Sequence, residues 1–88
     1  MTRRERIEEK LSADFTPVAL RVVDDSAKHA GHAGASPSGE THYDVVMETA
    51  AFTGLSRVAR ARAVHTALAG EFTTGLHALA LKLRAPGE

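Results

Sequence analysis

The chain has 88 residues, 43% hydrophobic and 25% charged, so a single small globular domain is expected over residues 1–88. Its 11 basic and 11 acidic residues cancel, which excludes the strongly basic surface of a general nucleic-acid binder but not a local basic patch. Since the chain has no cysteine, it has no disulfide, no thiol nucleophile and no thiolate ligand of its own. Five histidines are its main inventory for metal chemistry.

No apolar run approaches the roughly 20 residues that a membrane-spanning helix needs. The charged first ten residues are not followed by the apolar segment of a signal peptide. We therefore expect a cytoplasmic protein that does not associate with a membrane.

A helix is predicted at the start of the chain. Thr2 and Glu5 fit a capping box, and an apolar stripe follows at four-residue spacing. The stripe consists of Ile7, Leu11 and Phe15. The helix should end before Pro17, because the residue that precedes a proline avoids the helical region.

Two strands and a long loop follow this helix. Residues 18–23 are rich in valine and alternate in polarity, which predicts a strand. Residues 25–40 change to Asp, Ser, His, Gly, Ala and Pro and predict a mobile loop. Residues 42–48 predict a second strand with Tyr43, Val45 and Met47 on its inner face.

A second helix and a third strand complete the predicted elements. Ser56 is the expected N-cap and Gly70 the expected stop of the helix. Its apolar face would consist of Leu55, Val58, Ala61, either Val64 or His65, and Leu68. Residues 71–75 could add a short helical turn, residues 76–83 alternate as a strand, and residues 85–88 are expected to be a short tail.

The order of these elements predicts an α+β fold, a two-layer sandwich with helices on one face of a three-stranded mixed sheet. The first two strands should form an antiparallel hairpin. The third strand returns after a helix, so a right-handed crossover should make it parallel to its neighbour.

The histidines allow two interpretations. His29 and His32 lie three residues apart in the loop, where a solvated polar segment is the simpler interpretation, since zinc needs about four ligands. His77 shares an alternating face with leucines, so the pattern alone favours a core histidine with a backbone partner over a metal ligand. His42 is expected to face solvent, and His65 lies near the apolar edge of the second helix.

Two further patterns could contact phosphates. Gly31 and Gly34 match the Gly-x-x-Gly loop of KH domains, but they lie between strands rather than between helices. The second helix carries Arg57, Arg60 and Arg62, for which the zero net charge favours a solvated helix face. No nucleophile elbow, phosphate-binding loop with lysine or paired-carboxylate arrangement is present, so the sequence does not support an enzyme and predicts no catalytic residue.

Several segments, taken in order, resemble the BolA family over nearly the whole chain. They are residues 7–11 (IEEKL), residues 22–26 (VVDDS) with His29, residues 39–43 (GETHY), residues 52–56 (FTGLS) and residues 76–81 (LHALAL). The resemblance implies an α-β-β-α-α-β domain similar to class II KH folds, in agreement with the element order predicted above.

The resemblance also implies a partner and a cofactor. Members of the family form heterodimers with monothiol glutaredoxins that share a [2Fe-2S] cluster, for which the glutaredoxin cysteine and glutathione supply thiolates. The BolA-like chain supplies a histidine from its last strand and, in many members, a His or Cys from the loop between the first two strands. His77 matches the strand position and His29 the loop position, with His32 as an alternative loop ligand. Members often have Arg-His-Arg in the second helix, where this chain has Arg60-Ala61-Arg62.

We therefore predict a non-enzymatic binding module, without a small-molecule substrate, for iron–sulfur cluster trafficking or iron homeostasis. Its docking face for the glutaredoxin is expected around the second helix and the last strand. The rival hypothesis is a transcriptional regulator of the stress or morphology type, which would read DNA through the second helix with Arg57, Arg60 and Arg62.

Overall fold

The computed structural model describes residues 1–26 and 40–88. In this part of the chain the helices and strands are α1 (Arg3–Phe15), β1 (Ala19–Asp24), β2 (His42–Glu48), α2 (Arg57–Ala67), α3 (Ala69–Thr73) and β3 (Ala78–Arg84), with a 3₁₀ turn at Ala50–Phe52. Their order and the mixed sheet confirm the predicted α+β fold. Residues 27–39, which include His29, His32 and the Gly-x-x-Gly pattern, lie outside the described residues.

The N-terminus of α1 forms the predicted capping box. The Thr2 hydroxyl accepts a hydrogen bond from the Glu5 amide at 3.2 Å, and the Glu5 carboxylate accepts one from the Thr2 amide at 2.9 Å. The helix ends at Phe15, and its C-cap Thr16 has a left-handed backbone with φ 45° just before Pro17. The local signals of the sequence thus set both ends of α1.

The sheet has the order β1-β2-β3, with β2 in the middle. β1 pairs antiparallel with β2, so that Val22 lies opposite Val45, and β2 pairs parallel with β3, so that Val45 lies opposite Leu81. Both predicted strand directions are confirmed. β1 and β3 begin at Ala19 and Ala78, one and two residues later than predicted.

The core lies between the helices and one face of the sheet. The buried hydrophobic side chains include the predicted inner face of β2 and residues from both longer helices. They are Ile7, Leu11, Val22, Tyr43, Val45, Met47, Phe52, Val64, Leu68, Leu76 and Ala85. Val46 on the opposite face of β2 is 41% exposed, which confirms that the helices cover one face only.

The prediction for α2 is right at its start and wrong in part of its apolar face. The Ser56 hydroxyl caps the helix by accepting from the Ala59 amide at 3.1 Å. Leu55 precedes the helix and Val58 is 57% exposed. The buried side of α2 is formed by Arg60 and Val64 instead. Gly70 is not the stop, since it lies inside α3.

Residues 85–88 follow β3 as a short segment without regular secondary structure, and contacts tie them to α2. Ala85 is 2% exposed, and its amide donates to the Glu88 carboxylate at 3.0 Å. The same carboxylate accepts hydrogen bonds from both terminal nitrogens of Arg60, each at 2.6 Å. This segment therefore packs back against α2.

Substitutions of two glycines around α3 are expected to have opposite effects on stability. Gly75 has φ +126°, and a Cβ there would lie 3.1 Å from the Arg3 guanidinium, so we expect Gly75→Ala to destabilise the fold by about 1–3 kcal/mol. Gly70 is helical, and a Cβ would meet nothing within 4 Å, so Gly70→Ala should stabilise it by about 0.5–1 kcal/mol. Urea unfolding of both variants measures the two shifts, and a shift of equal sign would contradict the backbone geometry.

Candidate functional site

His77 lies immediately before β3, at the surface. Its amide and the amide of Ala78 both donate to the Thr41 carbonyl, at 2.8 and 3.1 Å. The alternating strand pattern begins only at Ala78, so His77 does not share the half-buried face of the leucines in β3. The expectation of a core histidine at this position is therefore wrong, and the imidazole is accessible.

His42 is the neighbour of His77 and is buried, with 8% exposure. The two imidazole centroids are 5.3 Å apart and the ring planes are tilted by 49°. The His42 Nδ1 lies 2.9 Å from the Thr41 hydroxyl. The expectation that His42 faces solvent is wrong, because an alternating pattern does not show what covers the outer face of a strand.

The residues that flank positions 27–39 meet beside His77, in what we call the loop base, formed by Asp24, Ser26, Glu40 and Thr41. The Ser26 hydroxyl accepts from the Thr41 amide at 2.8 Å, and Asp24 accepts from the Ser26 amide at 2.9 Å. Burial alone would raise the pKa of Asp24, but hydrogen bonds from Ser26, the Glu40 backbone and Tyr43 outweigh it and lower that pKa. The Asp24 carboxylate thus links Ser26 and Glu40, the two residues that flank positions 27–39.

Thr41 of the loop base bonds directly to His77, and Ser26 is linked to His77 by two hydrogen bonds that run through Thr41. The proposed loop ligands His29 and His32 lie outside the described residues, three and six positions after Ser26. Within residues 1–26 and 40–88, no group of three or more His, Asp or Glu side chains could hold a metal ion. His65 is exposed, and its ring stacks on Phe72 at 5.3 Å.

A partly buried ion-pair network fixes the turn that leads into His77. The Arg3 guanidinium donates to the Glu71 carboxylate at 2.7 Å and to the Thr74 carbonyl at 2.9 Å. Arg6 donates to the same carboxylate at 3.0 Å, and its hydrogen bond is the main reason that the pKa of Glu71 is lowered. The Arg3 amide donates to Glu40 at 2.9 Å, which connects α1 to the loop base. The sequence does not predict this network, because Arg3 and Glu71 lie 68 residues apart and leave no local pattern.

The three arginines of α2 do not form one exposed patch. Arg57 and Arg62 are exposed, whereas Arg60 is 8% exposed and forms a bidentate pair with Glu88. The side-chain hydrogen bond from Arg60 is the largest cause that lowers the pKa of Glu88 to about 2. The Arg60 guanidinium is thus already paired with a carboxylate, and its assignment as a phosphate contact stays a prediction.

The pair between Arg60 and Glu88 should give stability a measurable pH dependence. The pKa of Glu88 is about 2 in the fold against an ordinary 4.5, so its contribution is complete above pH 4.5 and is lost as the pH falls towards 2. We expect Glu88→Gln to lower the Tm at pH 7 and the difference from the native chain to vanish near pH 2. The exposed pair Arg4–Glu8, with its atoms 3.5 Å apart, offers Glu8→Gln as a control with little effect at either pH. A Tm difference for Glu88→Gln that does not depend on pH would contradict the assignment.

An open groove of about 640 Å³ lies between α2 and the edge of β3. Its apolar lining includes Val46, Val58, Leu81 and Leu83, and its charged lining includes Arg57, Lys82 and Arg84. Arg84 also pairs with Glu48 at 2.7 Å. The groove lies where the sequence analysis expected a docking face.

Among the described residues, no helix has the length and apolar character to span a membrane.

Comparison with known proteins identifies the family. Residues 11–88 match the family of BolA-like proteins. The chain is 49% identical over 78 residues to the DNA-binding transcriptional regulator BolA of Escherichia coli, covering 89% of this chain and 70% of that protein. It is 46% identical over 89 residues to an uncharacterized protein in the cobS 5′ region of Sinorhizobium sp, covering 100% of this chain and 96% of that protein.

The fold agrees with these sequence matches. The solved BolA domain of SufE1 from Arabidopsis thaliana superimposes with a TM-score of 0.89 at 41% identity, over 98% of this chain and 94% of that one. The chain therefore belongs to the BolA-like protein family.

Proposed function

We propose that this chain is a binding module that pairs with a monothiol glutaredoxin and shares a [2Fe-2S] cluster with it, in iron–sulfur cluster trafficking or iron homeostasis. The observation that carries the proposal is the exposed imidazole of His77 beside the loop base. Membership of the BolA-like family supports it. The same proposal includes a role without catalysis, without a small-molecule substrate and in the cytoplasm.

The donor set fits a shared cluster. A chain without cysteine can supply only nitrogen or oxygen ligands, and neutral imidazole is a known ligand of [2Fe-2S] iron. His77 is exposed, so its ring nitrogens can be reached by a group that another protein holds. Glutaredoxin cysteine and glutathione would supply the thiolates that this chain lacks.

His29 or His32 would supply the second imidazole from this chain. His29 lies three residues after Ser26, and three extended residues span about 10 Å at most. Ser26 is linked to His77 through Thr41, so both loop histidines follow, within six positions, a residue that is anchored beside His77. Separate alanine substitutions of His29 and His32 would show which of the two the shared cluster needs.

A titration tests the proposal directly. Adding this chain to a cluster-loaded monothiol glutaredoxin should change the visible circular dichroism, with saturation at one chain per glutaredoxin. The groove between α2 and β3 is the proposed docking face, so Val58→Asp should weaken the complex. A spectrum identical to that of the glutaredoxin alone, with no complex by size-exclusion chromatography, would contradict the proposal.

DNA binding is the second candidate function. The Escherichia coli relative is named a DNA-binding transcriptional regulator, and Arg57 and Lys82 line the groove of this chain. With Arg60 occupied by Glu88, the phosphate contacts would fall to Arg57, Arg62 and Lys82. Each contact should add about 0.9 to the slope of log affinity against log salt, so Arg57→Ala should reduce the slope by about 1. A salt slope near zero on promoter fragments would remove this candidate.

A further inference from the structure

We infer that His42 is a positioning residue, which holds the imidazole of His77 in the orientation needed for cluster binding. The inference rests on the proposed function and concerns the same site. It starts from an asymmetry between two neighbouring histidines. His42 is buried and fixed, whereas His77 is exposed, and the centroids of their rings are 5.3 Å apart.

His42 is fixed on several sides. Its amide donates to the Ser26 hydroxyl at 3.1 Å, and its carbonyl accepts from the Asp25 amide at 2.7 Å. Its ring is held through Nδ1, 2.9 Å from the Thr41 hydroxyl. The ring therefore presents a surface with a defined position beside β3.

His77 is fixed mainly through its backbone. Its amide donates to the Thr41 carbonyl at 2.8 Å, in register with the adjacent pair of His42 and Ala78. Its ring lies at the surface, where a side chain without a packing neighbour samples several rotamers. Contact with the His42 ring, tilted by 49°, restricts that freedom before any partner arrives.

Orientation of a ligand by a neighbouring side chain is a general requirement of metal sites. Loss of such a supporting residue commonly lowers metal affinity by about 10–100-fold, although the ligand itself is still present. The same magnitude is expected here for the affinity of the complex that shares the cluster.

The test compares His42→Ala, which removes the ring, with His42→Phe, which keeps a ring of similar size. In the chain without any partner, NMR of the His77 imidazole reports its motion on the ps–ns timescale. We expect a restricted ring in the native chain and in His42→Phe, and a mobile ring in His42→Ala. Affinity for cluster-loaded glutaredoxin should fall by about 10-fold or more in His42→Ala and be largely restored in His42→Phe.

The outcomes separate the inference from the proposed function. An equally mobile His77 ring in the native chain and His42→Ala, or equal affinities of the two, would overturn the inference while leaving the proposed function intact. If the native chain forms no cluster complex, the proposed function fails. The ring mobility then still decides whether His42 orients His77. If His42→Ala unfolds, His42→Phe alone decides, because a mobile ring in that folded variant overturns the inference.

Discussion

Replacing His77 by alanine is expected to abolish the visible spectrum that this chain induces in cluster-loaded glutaredoxin. The substitution removes an exposed imidazole and leaves the backbone hydrogen bonds of residues 77 and 78 to the Thr41 carbonyl in place. The fold should therefore stay intact, with a change in unfolding free energy of less than about 0.5 kcal/mol, as for most surface substitutions. Visible circular dichroism of the complex and thermal unfolding of the free variant measure the two effects.

His65→Ala is the matched control for this prediction. It also removes an exposed imidazole, but one that stacks on Phe72 at the end of α2 rather than on His42 beside the loop base. We expect it to leave the cluster spectrum unchanged. Loss of the spectrum in both variants, or in neither, would contradict a specific role of His77.

Arg3→Met is expected to lower the free energy of unfolding by about 2–4 kcal/mol. The substitution keeps an unbranched apolar stem, two atoms shorter than arginine, but removes the donors to Glu71 and to the Thr74 carbonyl, in a place where the Arg3 side chain is 9% exposed. Glu71 retains Arg6, so the carboxylate is not left without a partner. Within the described residues the Arg3 Nε has no hydrogen-bond partner. The cost of burying this unpaired donor offsets part of the stability that the other hydrogen bonds of Arg3 provide.

Arg4→Met provides the control for the buried arginine. Arg4 pairs with Glu8 at 3.5 Å, and both side chains are about half exposed, so its loss should cost less than about 0.5 kcal/mol. Because the pKa of Glu71 is lowered, the effect of Arg3→Met should shrink as the pH falls below the ordinary 4.5 of a glutamate. Urea unfolding at two pH values measures this, and equal losses in the two arginine variants would contradict the network.

The sequence predicted the elements because their signals are local. The Thr2–Glu5 capping box, the Ser56 cap and the alternation of Tyr43, Val45 and Met47 each occupy a few consecutive residues, and the structure confirms all three. The parallel pairing of β2 and β3 followed from the handedness of crossovers rather than from residue identities.

The errors concern interactions between distant residues and the ends of elements. Arg60 was expected to lie on a solvated helix face, because no residue near it in the sequence indicates a pair with Glu88, 28 residues later. His77 looked like a core residue because the pattern extended the strand two residues too far. His42 looked exposed because strand alternation predicts one buried face and does not describe the cover of the other.

The part of the candidate site that the sequence alone would have missed is the contact between the two histidines. The resemblance to BolA proteins selects His77, but the ring of His42 and the hydrogen bonds of the loop base come only from the fold. The assignments of His29 and His32 remain predictions, since both lie outside the described residues.

Isotope labelling can show directly which of the two proteins supplies a nitrogen ligand to the cluster. The complex would be assembled from unlabelled glutaredoxin and this chain labelled with ¹⁵N in histidine only, then reduced and measured by pulsed electron paramagnetic resonance. We predict strong ¹⁵N hyperfine couplings at the iron, with the coupling from His77 lost in the complex made with His77→Ala and all couplings retained with His65→Ala. A cluster that shows no ¹⁵N coupling, or unchanged couplings in His77→Ala, would contradict the assignment of His77 as a ligand.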